Sequence, residues 1–355
     1  MKTVFATLAL VWASLALAQD DDYQLLRADP TGYASVVPGH TLVFPRDHYP
    51  HKRYRIEWWY LTANLASPDG REYGVQWTLF RQSMDAGEDP GGWSSNQVWM
   101  AHAAISGSDG FVHDERFARG GIGQAGVAGD ENGNFRAWLD DWVWSGDGAS
   151  PIDGDLRFTV GDAELSMSLT ASTPWVLQGD GGYSLKSSEG QASYYYSQPH
   201  IQISATMKQG NITTPLTGRG WLDREWSSQP LSPHQPGWDW LSLHLDDGHA
   251  LMVYRLRNNT GEDWVSGSWV DPAGSSVTLS RDDIRFTEVK RVPVDTARGP
   301  RDLPLYWQVE LPAQSRTLNI RPARHQNWLD AAFPYWEGPV VVEEGGRGYL
   351  ELTGH

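Results

Sequence analysis

The sequence predicts an all-β protein made of two consecutive, homologous domains of antiparallel strands. Three observations carry this reading: the composition, a series of hairpin signals and an internal repeat. Of 355 residues, 19 are Trp and 14 are Tyr against 9 Phe, with 37 Gly and 21 Pro. Trp and Tyr favour strands, and each buries a large apolar body while offering one polar tip. Gly and Pro supply the turns between short strands.

Hairpins recur along the chain. Residues 58–65 alternate, turn at Pro68-Asp69-Gly70 and return over 73–80. Residues 156–160 and 164–169 flank Gly161-Asp162. The runs 201–207 and 241–245 each lead through a polar, Gly-containing turn into a second strand. Short strands at this spacing predict a barrel or a sandwich. The only later stretch with helical character is 324–332.

The repeat fixes the domain count. Trp59-Tyr60-Leu61 opens a hairpin ending in Phe80-Arg81, and Trp240-Leu241-Ser242 opens one ending in Arg255-Leu256-Arg257. Residues 104–110, leading to Asp114-Glu115-Arg116-Phe117, parallel 268–274, leading to Asp283-Ile284-Arg285-Phe286. Gly218-Arg219-Gly220-Trp221-Leu222-Asp223 parallels Gly346-Arg347-Gly348-Tyr349-Leu350-Glu351. The expected pairing is Trp59 with Trp240 and Gly220 with Gly348. The first domain is assigned to 38–222, a proline-rich linker to 223–237 and the second domain to 238–355.

The N-terminus reads as an export signal. Lys2, an apolar run over 4–17 and Ala16-Leu17-Ala18 form the charged, apolar and small-residue regions of a signal peptide cleaved after Ala18. Residues 19–37 form an N-terminal extension, and the mature protein is expected to be periplasmic or secreted. There is no cysteine, which excludes disulfides, thiolate metal sites and a cysteine nucleophile. The formal net charge of −16 argues against nucleic acid and anionic lipid as partners.

No Gly-x-Ser-x-Gly elbow, P-loop or His-Glu-x-x-His motif occurs. Asp47, His48 and His51 form an Asp-His-Tyr-Pro-His turn that reads as an exposed polar loop rather than a metal site. Lys186, after Gly181-Gly182-Tyr183, reads as solvated. Four clusters combine carboxylates with aromatics: Glu57-Trp58-Trp59-Tyr60, Trp221-Leu222-Asp223-Arg224-Glu225-Trp226, Trp238-Asp239-Trp240 and Tyr335-Trp336-Glu337. A carboxylate among indoles loses solvation, so its protonated form gains and it becomes a candidate general acid. An arginine beside it would hold it ionised instead.

These clusters, with Phe44-Pro45-x-Asp47-His48, Ala101-His102-Ala103, Lys186, Tyr195-Tyr196-Ser197 and the terminal Gly348-Tyr349-Leu350-Glu351-Leu352-Thr353-Gly354, resemble the AttH / carotenoid 1,2-hydratase family. The resemblance runs from about Phe44 to the C-terminus. It implies two lipocalin-like (calycin-type) β-barrels. It also implies a hydrophobic small-molecule partner, an isoprenoid or lipid, and no cofactor. Similar proteins are called hydroxyneurosporene synthases, carotenoid hydratases or secreted hydrolases.

Three functions follow. In the first, water adds across a C=C bond after proton donation by a carboxylic acid, with indole faces against the carbocation. Asp223, Glu225 and Asp239 are the candidate acids. Glu57, Trp59, His102, Tyr195, Trp221, Trp226, Trp238, Trp240 and Trp336 are the candidate ligand-facing residues. In the second, the protein carries a lipid or isoprenoid without chemistry, functionally linked to an inner-membrane permease. In the third it is a hydrolase using a carboxylate-activated water. The cavity is expected at the junction of the two domains. Intact-mass measurement of the exported protein should show a chain beginning at Gln19; a mass that includes residues 1–18 would refute the cleavage assignment.

Overall fold

Alternating aromatic and aliphatic residues, broken by Gly-containing turns, give strands along nearly the whole chain. The computed structural model describes residues 24–355, and the expected cleavage after Ala18 lies outside the described residues. The first sheet contains β1 (Ile56–Ala66), β2 (Glu72–Ser83), β3 (Gln97–Gly107), β4 (Gly110–Arg119), β5 (Ala125–Gly129), β6 (Phe135–Leu139), β7 (Trp142–Gly146), β8 (Gly154–Val160), β9 (Ala163–Thr170), β10 (Val176–Leu177), β11 (Tyr183–Leu185), β12 (Ala192–Gln209) and β13 (Ile212–Ser227). The second contains β14 (Trp238–Leu245), β15 (Ala250–Leu256), β16 (Trp264–Val270), β17 (Ser276–Ser280), β18 (Arg285–Val294), β19 (Arg301–Leu311), β20 (Arg316–Pro322), β21 (Trp328–Leu329), β22 (Tyr335–Val342) and β23 (Gly346–Thr353). All pairings are antiparallel. The first sheet curls into a nearly closed barrel and the second into a half-barrel, a lipocalin-like arrangement.

The strand orders correspond. The first sheet runs β4-β3-β2-β1-β13-β12-β9-β8-β7-β6-β5 and the second β17-β16-β15-β14-β23-β22-β20-β19-β18. β1 therefore matches β14, β13 matches β23 and β12 matches β22. Gly220 pairs with Ala63 of β1, and Gly348 with Leu243 of β14, so these two glycines occupy equivalent places. The same registers set Tyr60 opposite Asp223 and Trp240 opposite Glu351. The partner of Trp240 is thus Tyr60, not Trp59. That one-residue difference matters because it moves a side chain to the other face of its sheet. The stretch 114–117 lies in β4, whereas Asp283 and Ile284 precede β18, so that part of the repeat is not equivalent.

Two further expectations are corrected. β13 runs through residues 223–227, because they continue to pair with β1 on one side and β12 on the other; the connection spans 228–237. Residues 324–332 form no helix: Trp328 and Leu329 pair with Trp336 and Tyr335, and the sheet edge claims them.

Each barrel has its own core. Odd-numbered residues of β1 (Trp59, Leu61, Ala63, Leu65) fill the first, and Leu241, Leu243 and Leu245 of β14 fill the second. The opposite faces of these strands are buried too. Ile56, Tyr60, Trp221, Trp240, Tyr254 and Tyr349 form a third cluster between the two sheets. Close approach there depends on Gly74 of β2. A Cβ at this position would lie 2.6 Å from Pro339 Cγ and 2.8 Å from the Tyr349 hydroxyl. Gly74→Val should therefore open the seam and destabilise the protein by about 1–3 kcal/mol. Thermal melting checks this, and an unchanged melting temperature would refute it.

Candidate functional site

A cavity of about 390 Å³ lies in this seam. Apolar side chains form most of its wall: Ile56, Phe80, Val98 and Met100 from the first barrel, Leu256 and Phe333 from the second. Leu26 and Leu231, from the N-terminal segment and the connection, join that wall. Its polar residues come from both sheets, and its three carboxyls from two matched strands, Asp223 and Glu225 from β13 and Glu351 from β23. Side chains alternate along a strand, so Trp221, Asp223 and Glu225 of β13 share the seam face, as do Tyr349 and Glu351 of β23.

Asp223 is fully enclosed. It accepts hydrogen bonds from the Tyr195 hydroxyl at 2.6 Å, the Ser197 hydroxyl at 2.6 Å and the Trp221 indole at 2.7 Å. Burial outweighs these donors, and the nearby Glu225 adds to it, so the carboxyl is pushed up to about 7. Glu351 accepts the Trp238 indole N–H at 3.0 Å. Burial, with Asp223 and Glu225 nearby, pushes it up to about 8. Behind it Glu337 pairs with Glu351 across β22 and β23 and accepts the Tyr60 hydroxyl at 2.6 Å. Burial and the Glu351 charge raise Glu337 well above the carboxylate range. Glu225 is different: Lys186 Nζ lies 2.8 Å from it, and Ser193 donates to it.

Of the residues singled out in the sequence, Asp223, Glu225, Tyr195, Trp238 and Trp240 line the cavity. Trp221 stands behind Asp223 as its hydrogen-bond donor. The others point elsewhere. Asp239 is on the opposite face of β14. There burial is outweighed by Arg257 at 2.6 Å, His355 at 2.6 Å and Arg255 at 2.7 Å, which hold it at about 2. Glu57 sits between Arg81 and Arg224, which overcome its burial and keep it well below the usual range. Trp59 is in the first barrel's core with the Arg224 guanidinium 3.9 Å from its ring centre. Trp226 stacks on His51 at 3.8 Å, and Trp336 is in the second core. His102 lies behind the cavity-lining Tyr335, with Nδ1 2.9 Å from its hydroxyl and Nε2 3.0 Å from Glu115.

Other expectations change as well. Asp47 and His48 are buried rather than exposed, and His48 Nδ1 lies 2.7 Å from the Tyr196 hydroxyl. Lys186 is not solvated. β11 folds back on β12 after the glycine turn, and the residue that follows is carried into the seam, 6% exposed. Lys186, Tyr60, Tyr254, Tyr335, Glu337 and Glu351 are not among the candidate acids and ligand-facing residues named from the sequence, although all but Tyr254 stand in the clusters and motifs quoted there. The signal for Glu351 was present, since the repeat aligns it with Asp223.

Residues 35–355 match the model of the AttH-like family. An AttH protein from Nitrosomonas europaea has a similar structure, with 35% identity and a TM-score of 0.78, covering 90% of this chain and 99% of that one. Kievitone hydratase from Nectria haematococca shares the fold at 12% identity and a TM-score of 0.65, over 91% of this chain and 96% of that one. CghA, solved with Sch210972, does so at 14% identity and a TM-score of 0.54, over 93% and 98%. No curated protein matches the sequence.

The two kinds of carboxyl should separate by pH. Between pH 3.8 and about 7 the folded protein holds a proton on Asp223 that the unfolded chain releases, so this group lowers stability as pH rises through that window. Asp223→Asn should therefore gain stability relative to the native chain from about pH 4 to about pH 7 and level off above, by a few kcal/mol. Asp239 has the opposite sign. Its contribution is present above 3.8 and lost as pH falls to about 2, so Asp239→Asn should be destabilised at neutral pH. Denaturant unfolding across pH measures both; parallel profiles for the two variants would contradict the assignment.

Proposed function

The chain belongs to the AttH-like family, and on that premise we propose that it adds water to, or removes it from, a carbon–carbon double bond of an apolar small molecule without a cofactor. One observation carries this reading: Asp223 and Glu351, neither held by an arginine and both raised to near neutral pH, face a single aromatic-walled apolar cavity. A hydratase needs a protonated acid and a base within reach of one substrate. Glu351, raised by burial and accepting a single indole N–H, is assigned as the donor; Asp223, whose carboxylate is held by three hydrogen-bond donors, is assigned as the acceptor.

In the forward direction Glu351 gives its proton to one alkene carbon. The cation that develops on the other faces the Trp238 and Trp240 rings, whose π-electrons favour positive charge. Water attacks that carbon and its proton passes to the Asp223 carboxylate. The Tyr195 hydroxyl, which burial raises far above neutrality, remains a donor that holds Asp223 in place. Proton exchange between the two acids then restores the starting state. Export by the signal at residues 1–18 is part of the same proposal and would give access to substrates outside the cytoplasm.

Solvent extraction of the purified protein identifies the molecule that co-purifies, and incubation of that molecule in heavy-oxygen water tests the chemistry. The native chain should incorporate one labelled oxygen, and Glu351→Gln and Asp223→Asn should each slow incorporation by about 10²-fold or more. Binding without any labelled product would instead identify a carrier.

A further inference from the structure

The proposed chemistry uses Asp223 and Glu351 and leaves one charged pair in the cavity wall unexplained. Lys186 and Glu225 are 6% and 5% exposed, and both line the cavity. A buried ion pair is seldom the most stabilising way to fill such a place, since apolar residues of similar volume often serve as well or better. The lysine also has unused capacity. Its ammonium carries three N–H donors. One is directed to Glu225 Oε1 at 2.8 Å. The Tyr254 and Tyr195 rings lie 4.3 and 4.8 Å from Nζ and steady the charge, but they accept no conventional hydrogen bond. The Tyr254 hydroxyl is turned away, donating to the Leu185 carbonyl at 3.0 Å.

The cavity thus combines charged groups with apolar ones. An ammonium and the carboxyls of Asp223, Glu225 and Glu351 are part of its lining, and Ile56, Phe80, Val98 and Met100 make up an apolar wall. An oxygen acceptor on the ligand would satisfy the free N–H groups of Lys186. A carboxylate on the ligand would place a further negative charge beside Glu225, which already raises both Asp223 and Glu351. A neutral oxygen avoids that repulsion. We infer that the cavity takes an apolar chain bearing a neutral oxygen acceptor, and that Lys186 receives that oxygen. This rests on the small-molecule reading of the cavity and adds the substrate class.

The test is a binding titration by tryptophan fluorescence, since Trp238 and Trp240 line the cavity. The probes are geranylacetone, the hydrocarbon in which a methylene replaces its carbonyl, and the carboxylic acid of equal length, all above pH 8. The native chain should bind the ketone about tenfold more tightly than the hydrocarbon, the scale of one hydrogen bond to a charged group, and more tightly than the acid. Lys186→Met alone strands a buried carboxylate and can fail to fold, so the decisive variant is Lys186→Met with Glu225→Leu. It should bind the hydrocarbon at least as tightly as the native chain does and lose the preference for the ketone. A preference that survives in this variant, or a native chain that favours the acid, overturns the inference. Oxygen incorporation is scored separately: a lysine-dependent ketone preference without turnover sinks the hydratase reading and leaves this inference standing, and turnover with a lysine-independent preference does the reverse.

Discussion

Along the seam itself, in β1, in β14, in residues 220–227 of β13 and in the middle of β23, both strand faces are almost wholly covered. β1, β13, β14 and β23 each send one set of side chains into their own barrel and the alternate set against the other sheet. Every polar side chain buried there must therefore find a partner inside the protein or change its ionisation. Glu57 and Asp239 follow the first course, each held by two arginines. Asp223, Glu337 and Glu351 follow the second, because the seam face brings them hydroxyls and indoles but no arginine. The same residue type is thus a structural clamp on one face and a titrating group on the other.

The duplication is what places the titrating groups together. Asp223 and Glu351 are the same position in two copies, and the copies meet where β1 and β2 of the first sheet approach β23 and β22 of the second. Their neighbours are exchanged. Tyr60 of the first sheet donates to Glu337 of the second, and Trp240 of the second donates to the Tyr195 hydroxyl of the first at 3.3 Å. Neither half holds a complete cavity, since the acids, rings and apolar walls come from both.

Much of this was legible in the sequence. The four hairpins named there form, and the matched glycines 220 and 348 occupy equivalent strands, because local turn chemistry and a repeated motif need no knowledge of distant contacts. The choice of site residues was harder. Trp238-Asp239-Trp240 reads as one cluster, yet strand alternation sends Asp239 to arginines and the two indoles to the cavity. Glu57 and Trp59 were separated from the cavity by the same rule, which the sequence states but does not orient. Lys186 was hidden for another reason. Its burial depends on β11 folding against β12 and on Glu225, 39 positions away, and no local pattern announces that meeting.

The burial of Asp223, with the partly buried Glu351 beside the same cavity, also makes that cavity a proton reservoir. An apolar molecule that fills it would displace whatever water still solvates these carboxylates and favour their neutral forms further. Entry would then draw protons from solution wherever either group is still partly ionised. By linkage, affinity for a neutral guest would strengthen as pH falls towards the point where both carboxyls are already protonated, and flatten below it. The heat of association would accordingly change with the ionisation enthalpy of the buffer, even when neither the guest nor the buffer touches a charged residue.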